Sequence, residues 1–330
     1  MRTIVVGGQY GDEGKGKILS YLARVDKPKI VARGGVGPNA GHIVVYKGEK
    51  FALRLVPCGF VNENARLLIG PGVLINPEVF LKEVAMVKGE GRTGIDRNAA
   101  VITKEHIERD RDANARKIGT TGSGCGPAMA DRVSRVGLRV SDVPELQKYL
   151  CDVPIEVNST ENVLIEGSQG FMLSNYGDSY PYVTSKDITA SSVAADVGLG
   201  PTKIDEVVMV IKAYTTRVGN GPFRDEISIE EAEKLGYQEY GTVTGRARRT
   251  SPHLHFKDLR RAAMVNGATQ VAITKLDVVF KENVGARVFE ELTREAREFV
   301  ATVERMLGTE VTLIGTGPDA KDTIDMRIRE

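Results

Sequence analysis

The feature that most constrains the fold is a series of short, uninterrupted β-branched runs along the whole chain. Uninterrupted apolar runs are typical of strands that are buried on both faces of a parallel sheet. The runs lie at residues 3–6, 29–32, 67–69, 100–102, 163–165, 207–211, 271–274 and 311–314. Several precede helical patterns, and Asn76 and Ser228 mark helix starts. This alternation predicts an α/β fold with a large, mostly parallel central sheet flanked by helices.

No clear linker divides the chain, so we expect residues 1–330 to form a single domain. Two segments, at about 104–150 and 215–260, interrupt the alternation with charged and glycine-rich stretches. We expect both to be small subdomain excursions over the carboxyl ends of the strands, where ligands bind in open parallel sheets.

The composition excludes several classes of protein. Lys+Arg 45 and Asp+Glu 44 give a formal net charge of +1, so global charge indicates neither a nucleic-acid nor a membrane partner. The cysteines Cys58, Cys125 and Cys151 form no C-x-x-C pair, which favours a reducing compartment over a disulfide framework or a zinc site. We find no signal-peptide centre and no run of membrane-spanning length. We therefore expect a cytoplasmic protein.

Glycine-rich or polar segments follow five of the predicted strands. They are GGQYGDEGKGK at 7–17, GGVGPNAGH at 34–42, EGSQG at 166–170, TKLD at 274–277 and GTGP at 315–318. Each alone is a weak signal, because glycine-rich loops are usually turns. Their common position at strand ends predicts one extended ligand site at the carboxyl edge of the sheet.

The first segment has the organisation of a phosphate-binding loop, with glycines and lysines between a strand and a helical pattern at 18–23. Its spacing departs from G-x-x-x-x-G-K-[ST]. Five residues separate Gly8 from Gly14, and Gly16 stands where a Ser or Thr would hold magnesium. We favour phosphate binding over a simple turn, with Asp12 as the replacement magnesium ligand.

The TKLD segment resembles the guanine-reading motif of GTPases. A carboxylate such as that of Asp277 can accept hydrogen bonds from both N1–H and N2–H₂ of guanine, and adenine offers no such pair. A regulatory GTPase would also carry D-x-x-G, and the chain contains no such motif. A GTP-dependent switch protein therefore remains only the alternative to an enzyme, and an ATP-dependent amidoligase is a second alternative.

Two further patterns indicate catalysis and an acidic substrate. His42 ends the segment after the second strand, and we expect it to share a crevice with Asp12 as an acid–base pair. The segment 242–248 is rich in arginine and threonine, so it is either a solvated loop or a site for an acidic substrate. His253 and His255 form H-x-H, for which a surface role is favoured over a metal site.

Taken together, these motifs resemble the adenylosuccinate synthetase family over nearly the whole chain. The residues that carry the resemblance are G-D-E-G-K-G-K at 11–17, N-A-G-H at 39–42, I-G-T-T-G-x-G-x-G-P at 118–127, R-x-G-L-R-V at 135–140, E-G-x-Q-G at 166–170, Y-P-Y-V-T-S at 180–185, K-A-Y-T-T-R-V-G-x-G-P-F at 212–223, T-G-R-x-R-R-T at 244–250, K-L-D at 275–277 and T-G-P at 316–318. The resemblance implies a fold like that of P-loop NTPases. It also implies GTP-dependent ligation of L-aspartate to IMP, giving adenylosuccinate, GDP and phosphate through a 6-phosphoryl intermediate, with Mg²⁺ as cofactor.

The resemblance also implies roles for individual residues. It implies Asp12 as general base, His42 as partner acid and Lys15 as the phosphate-neutralising cation. The implied GTP contacts are Gly11, Glu13, Gly14, Lys15, Gly16, Lys17, Gly41, Arg248, Lys275, Leu276, Asp277, Gly315, Thr316 and Gly317. The implied IMP contacts are Asp12, Asn39, Ala40, Gly41, His42, Thr121, Arg135, Gln169, Thr184 and Arg246. The implied aspartate contacts are Thr242, Val243, Thr244, Gly245, Arg246, Ala247 and Arg248.

Magnesium would be held by Asp12 and Gly41, and Arg135 would reach IMP from the other subunit of a homodimer. The chain departs from the family pattern in being shorter than most members. It also departs at three residues: Ser123 and Ala247 stand where arginine is usual, and Gly315 stands where serine is usual.

Overall fold

The structure, a computed structural model, describes residues 1–241 and 244–327. Within these residues the chain forms sixteen strands and eleven α-helices. The strands are β1 Arg2–Gly7, β2 Ile30–Arg33, β3 His42–Tyr46, β4 Glu49–Leu53, β5 Arg66–Ile69, β6 Leu74–Ile75, β7 Thr93–Asp96, β8 Ala100–Val101, β9 Leu150–Cys151, β10 Val163–Glu166, β11 Glu206–Lys212, β12 Thr215–Arg217, β13 Arg249–Ser251, β14 Gln270–Thr274, β15 Val311–Gly315 and β16 Thr323–Asp325. The helices are α1 Lys15–Val25, α2 Pro77–Met86, α3 Lys104–Arg109, α4 Ala113–Ile118, α5 Cys125–Ser134, α6 Val153–Ser159, α7 Ala190–Asp196, α8 Ile229–Leu235, α9 Phe256–Asn266, α10 Leu276–Val279 and α11 Arg294–Leu307.

Ten of the described strands form one sheet in the order β16-β15-β14-β11-β1-β10-β2-β5-β7-β9. Neighbouring strands are parallel, except that β16 runs antiparallel to β15 at one edge. The predicted α/β class with a large, mostly parallel sheet is therefore confirmed. Three two-stranded sheets, β3–β4, β6–β8 and β12–β13, lie outside it.

Both faces of the sheet are buried, and this explains why its strands are uninterrupted apolar runs. Successive residues of β1 point to opposite faces, so Ile4 and Val6 pack in one hydrophobic cluster and Val5 in the other. Helices α6, α7, α9 and α11 cover the first face, and α1 and α2 cover the second. The sheet is thus a middle layer between two layers of helices.

Local sequence signals set several helix boundaries. Asn76 accepts a hydrogen bond from the N–H of Val79 and caps α2, which begins with proline. Ser228 caps α8 in the same way, through the N–H of Glu231. Both predicted helix starts are therefore present in the structure.

Seven of the eight predicted strands belong to the large sheet, and the eighth does not. The run at 100–102 forms β8, which pairs with β6 in a separate parallel pair. The predicted segment 104–150 contains α3, α4 and α5 and ends at β9, which adds an edge strand to the large sheet. That the chain is one domain with two subdomain excursions over the sheet edge stays a prediction.

Candidate active site

Five of six adjacent strands of the sheet carry the predicted ligand segments, and β11 is the exception. In spatial order β15, β14, β11, β1, β10 and β2 lie side by side and run in the same direction. The segments that follow them therefore meet at one edge of the sheet. This edge is the position at which open α/β sheets bind ligands.

A cavity of about 610 Å³ opens at this edge. It is lined by eleven of the residues implied as substrate contacts: Gly11, Asp12, Asn39, Ala40, Gly41, Thr121, Gln169, Thr184, Thr244, Arg246 and Arg248. Side chains from three segments are joined here. Gln169 Nε2 donates to Asn39 Oδ1 at 3.0 Å, and Asn39 Nδ2 donates to Thr184 Oγ1 at 3.2 Å. The cavity wall is therefore a connected polar surface, suited to a polar ligand such as a nucleotide.

The phosphate loop encloses a carboxylate of its own. Glu13 is fully buried, and its Oε1 accepts the N–H groups of Gln9 at 2.8 Å and Gly11 at 2.9 Å. Its Oε2 lies 2.8 Å from Lys15 Nζ, so Lys15 is also committed to this buried ion pair. A Cβ at Gly7 would lie 2.5 Å from Glu13 Oε2. Glu13 therefore organises the loop from within.

Asp12, the neighbouring acid, points toward the cavity and is held by residues distant in sequence. Its Oδ1 lies 2.6 Å from Arg248 Nη1, and its Oδ2 accepts from Thr216 Oγ1 at 3.4 Å. Burial raises the pKa of Asp12, and Arg248 and Lys212 partly offset this rise. Asp12 is thus a desolvated carboxylate with a cationic partner, an environment common to catalytic acids and bases.

Glu239 gathers the cations around Asp12. Its carboxylate lies 3.2 Å from Arg248 and 3.3 Å from Lys212, and it accepts from Tyr214 Oη at 2.6 Å. Lys275 lies 3.6 Å away. Burial would raise the pKa of Glu239, but the cations lower it to about 2, so Glu239 stays ionised.

Glu239 and Lys212 were both missed from the sequence. Lys212 carried a signal, since it is a charged residue that ends the otherwise apolar run of β11. Glu239 carried none, because its partners come from three other segments of the chain.

His42 lies in a buried polar cluster rather than on the cavity wall. Its Nδ1 is 2.7 Å from Arg33 Nη1 and also contacts Glu166, which in turn pairs with Arg33. Burial and Arg33 lower the pKa of His42 to about 4, so the ring is neutral near pH 7. Its Nε2 is buried and has no hydrogen-bond partner among residues 1–241 and 244–327. This nitrogen is the atom that the ring can offer to a ligand.

The partners of His42 were missed although the sequence carried a signal for them. Arg33 and Glu166 are the last residues of two buried strands, and they face each other in the register of β2 and β10. A charged residue at the end of a buried strand points into the predicted site. Cys58 lies close enough to Glu166 and His42 for the three to share an ion, but the guanidinium of Arg33 disfavours a cation there.

The segments implied to contact guanine pack against the phosphate loop. Thr274 Oγ1 donates to the carbonyl of Glu13 at 2.5 Å. Lys17 Nζ donates to the carbonyls of Gly317 and Asp322, both at 2.6 Å. Burial raises the pKa of Asp277, whose Oδ1 is buried and finds no partner in the described chain. An unpaired carboxylate oxygen in this place is suited to accept N–H groups of a base.

Lys275, Leu276, Gly315 and Thr316 complete this side of the site. Lys275 adopts φ 60° and turns the chain into α10, of which Leu276 is the buried first residue. Thr316 Oγ1 donates to the carbonyl of Ala286 at 2.8 Å. Gly14 and Gly16, at the start of α1, allow close approach: a Cβ at Gly16 would lie 2.9 Å from the carbonyl of Ile43.

The arginine-rich segment is described from Thr244 onward, and the predicted contacts Thr242 and Val243 lie outside the described residues. Thr244, Arg246 and Arg248 line the cavity, whereas Gly245 and Ala247 do not. Arg246 Nη2 donates to the carbonyls of Gly119 and Thr120, at 3.0 and 3.1 Å. The segment is therefore part of the cavity wall, which favours the interpretation as a site for an acidic substrate over a solvated loop.

Arg135 lies away from the cavity. It follows α5 with φ 64° and is exposed, as are Val133, Val136 and Leu138, whose exposed fractions are 71%, 72% and 51%. Three apolar side chains exposed this far on one segment are typical of a surface that another molecule covers.

In the described chain no helix combines the length and apolar character needed to span a membrane. The three cysteines are buried and free.

Comparison with known proteins places the chain in a family. The profile of the adenylosuccinate synthetase family matches residues 4–153 and 143–284. Adenylosuccinate synthetases of Archaeoglobus fulgidus and Methanosphaera stadtmanae are 57% and 56% identical to the chain, over 98% of each partner in both alignments. The chain thus has the compact length of these relatives. The fully ligated adenylosuccinate synthetase of Plasmodium falciparum superposes with a TM-score of 0.89 at 27% identity, over 98% of this chain and 99% of that one. The chain belongs to the adenylosuccinate synthetase family.

Proposed function

We propose that the cavity at the sheet edge carries out the ligation of this family, in which GTP, IMP and L-aspartate give adenylosuccinate, GDP and phosphate. One observation carries the assignment. Asp12 belongs to the phosphate loop at 7–17 and lines the same cavity as Asn39, Gln169 and Thr184. A base is thereby placed between a phosphate-binding loop and a polar pocket for the acceptor.

Asp12 is the general base of this proposal. It takes the N1 proton of IMP while O6 attacks the γ-phosphorus of GTP, so that the O6–P bond forms and GDP leaves. The amine of L-aspartate then attacks C6 and expels phosphate, a far better leaving group than the original oxygen. Catalysis by positioning and electrostatic stabilisation suits such a phosphoryl transfer.

His42 and Lys15 act on the charge of the transferring phosphoryl group. His42 offers its buried, unpaired Nε2 and is held at Nδ1 by the Arg33–Glu166 pair. Lys15 lies in the phosphate loop and is paired with Glu13, so it would act on phosphate charge only where a phosphate oxygen competes with Glu13 for its ammonium. Asp277 reads guanine with its unpaired oxygen, and the phosphate loop holds the triphosphate.

Magnesium fits the oxygen donors of this site. Asp12 and Gly41 line one cavity, and a carboxylate with a backbone carbonyl is a donor pair that Mg²⁺ accepts. When bound, the ion would neutralise charge on the phosphate oxygens of GTP. In this structure the carboxylate of Asp12 is paired with Arg248 at 2.6 Å, so the ion would replace this guanidinium contact at the carboxylate.

Thr244, Arg246 and Arg248 form the clamp for L-aspartate, since arginine forks bind carboxylates in two-point contacts. Arg135 acts in trans in a homodimer. Its exposure and the exposed apolar side chains beside it support a second copy of the chain on this face. We also propose a cytoplasmic location, in keeping with the free cysteines. Membership of a ligase family leaves no support for the regulatory switch.

A phosphate-release assay tests the function, with GTP, IMP or L-aspartate omitted in turn. Release should require all three substrates, and release with GTP alone would contradict the proposal. Replacing GTP by ATP should abolish turnover, because adenine lacks the N1–H and N2–H₂ donors that Asp277 accepts from guanine.

Asp12→Ala should keep the fold and lose about 10²–10⁴-fold in turnover, as expected for loss of a general base. Asp178→Ala is the matched control, because Asp178 is exposed and pairs only with exposed Arg261 in the described chain. Circular dichroism and urea unfolding check folding. An Asp12→Ala enzyme within tenfold of the parent would remove Asp12 as the essential base.

The dimer is tested by mixing two inactive variants, Arg135→Leu and Asp12→Ala. A mixed dimer holds one site with both native residues, so activity should return to about a quarter of the parent value if subunits exchange at random. Exchange is verified with two different affinity tags. Demonstrated exchange without recovered activity would rule out the trans role of Arg135.

A further inference from the structure

Lys17 is a buried cation of the phosphate loop. It is only 8% exposed, and its ammonium donates two hydrogen bonds of 2.6 Å, to the carbonyls of Gly317 and Asp322. Burial lowers the pKa of Lys17 to about 8. Its donors are therefore directed at the backbone of the 315–322 loop.

The 315–322 loop closes on itself around these two carbonyls. The N–H of Thr316 donates to the carbonyl of Asp322 at 2.9 Å, and the N–H of Asp319 donates to Asp322 Oδ2 at 3.1 Å. Lys17 joins this closed loop to the first turn of α1, which begins in the phosphate loop. The loop and the phosphate-binding segment are thereby fixed relative to each other.

Gly315 leaves the space that the ammonium occupies. A Cβ built at this residue would lie 2.7 Å from Lys17 Nζ, whereas its next neighbours, Thr274 Cα and the carbonyl of Ile273, are at 3.4 and 3.5 Å. A side chain here would therefore displace the tip of a flexible lysine and leave the surrounding backbone in place. Because residue 315 has no side chain, the ammonium of Lys17 can lie where a Cβ would otherwise be.

We propose that Lys17 is a positioning residue that holds the purine-contacting 315–322 loop against the phosphate loop, and that in this chain, which has glycine where serine is usual, its ammonium takes the space that a side chain at 315 would fill. The proposal rests on the proposed function, in which Gly315, Thr316 and Gly317 contact GTP. It assigns Lys17 to recognition of the guanine half of GTP, although the residue lies in the phosphate-binding half. The two halves of the nucleotide site thus share one side chain.

The experiment compares Lys17→Met, Gly315→Ala and the double variant with the parent enzyme. Methionine keeps much of the length of lysine without its charge, and alanine adds the single Cβ that meets Nζ. Lys257→Met, an exposed lysine on α9, and Gly200→Ala, where an added Cβ meets only ordinary contacts of 3.7 Å and more, are the matched controls. For each enzyme we would measure KM for GTP, IMP and L-aspartate, and inhibition constants for guanosine and for tripolyphosphate.

Both single variants should raise KM for GTP and the inhibition constant of guanosine by about tenfold, the loss expected for a charge-assisted contact. Tripolyphosphate inhibition and KM for IMP should stay unchanged. The double variant should be no worse than Lys17→Met, because each change removes the same contact. Both controls should match the parent.

Two outcomes would overturn the proposal. If Lys17→Met weakens tripolyphosphate but not guanosine, Lys17 contacts phosphate directly. If Gly315→Ala leaves every constant unchanged, a side chain at 315 does not disturb the Lys17 contact. Failure of the proposed function would be seen separately and first, as a parent enzyme without GTP-dependent turnover. Urea unfolding identifies any variant that has lost its fold, and the other single variant then decides.

Discussion

Glu13→Gln should destabilise the protein strongly although it changes one atom type in a side chain that does not reach the cavity. Both loop N–H groups donate to Oε1 of Glu13, and the side-chain carbonyl of glutamine can accept the same two hydrogen bonds. The amide nitrogen then faces Lys15 Nζ, which was 2.8 Å from Oε2. A buried ammonium is left with only the carbonyl of Gly11, at 3.4 Å. Breaking such a buried pair costs about 3–5 kcal/mol.

The free energy of unfolding, measured by urea denaturation, tests this magnitude. A loss of about 3–5 kcal/mol is a large part of the stability of a typical protein, about 5–15 kcal/mol. Glu63→Gln is the matched control. Glu63 pairs with Lys47 at 4.0 Å with both side chains at least 70% exposed, and such pairs contribute about 0–1 kcal/mol.

A second variant separates the ion pair from simple loss of packing. Glu13→Gln/Lys15→Met removes both charges, so the double variant should be more stable than Glu13→Gln alone. The reasoning is refuted if Glu13→Gln costs less than about 1 kcal/mol, the value of an exposed pair. It is also refuted if removal of the second charge restores nothing.

Two further predictions concern backbone packing and pH. Gly170→Ala should unfold or inactivate the protein, because its Cβ would meet Glu13 Oε1 and lie 2.5 Å from the N–H nitrogen of Gly11; Gly200→Ala, where an added Cβ meets only ordinary contacts of 3.7 Å and more, should leave the free energy of unfolding within about 0.5 kcal/mol of the parent. Burial raises the pKa of Asp196 from 3.8 to about 6, so its protonation stabilises the fold below pH 3.8 and this contribution is lost as the pH rises through 6. The stability of the parent relative to Asp196→Asn should therefore fall by about 2.5 kcal/mol between pH 4 and 7, and a constant difference would contradict the assignment.

The sequence predicted most of the sheet because its strands are buried on both faces, which requires long apolar runs such as Val207–Ile211. The edge strands β9 and β16 were not predicted. Each has two or three residues, too few for a periodic pattern. The run at 100–102 was placed among the predicted strands without a partner, and its pairing with β6 depends on contacts that no local pattern encodes.

The cavity was predictable for a different reason. In a parallel sheet the carboxyl ends of strands share one edge, so motifs far apart in sequence could be placed together before any coordinate was known. The partner of each charged side chain in these motifs could not be predicted. Glu13 and Lys17 belong to one short motif, yet one is enclosed by its own loop and the other holds a loop some 300 residues later in the chain.

The pairing of Asp12 with Arg248 couples the base to its surroundings. The guanidinium 2.6 Å from the carboxylate lowers the pKa of Asp12 against the rise that burial causes. A ligand that binds Arg248 would draw this guanidinium away from Asp12. Binding at the Arg248 subsite would thereby raise the basicity of Asp12. By reciprocity, neutralising Asp12 would release Arg248 and tighten the binding of whatever anion Arg248 holds. The Asp12–Arg248 contact therefore links the basicity of Asp12 to the binding of a ligand at Arg248.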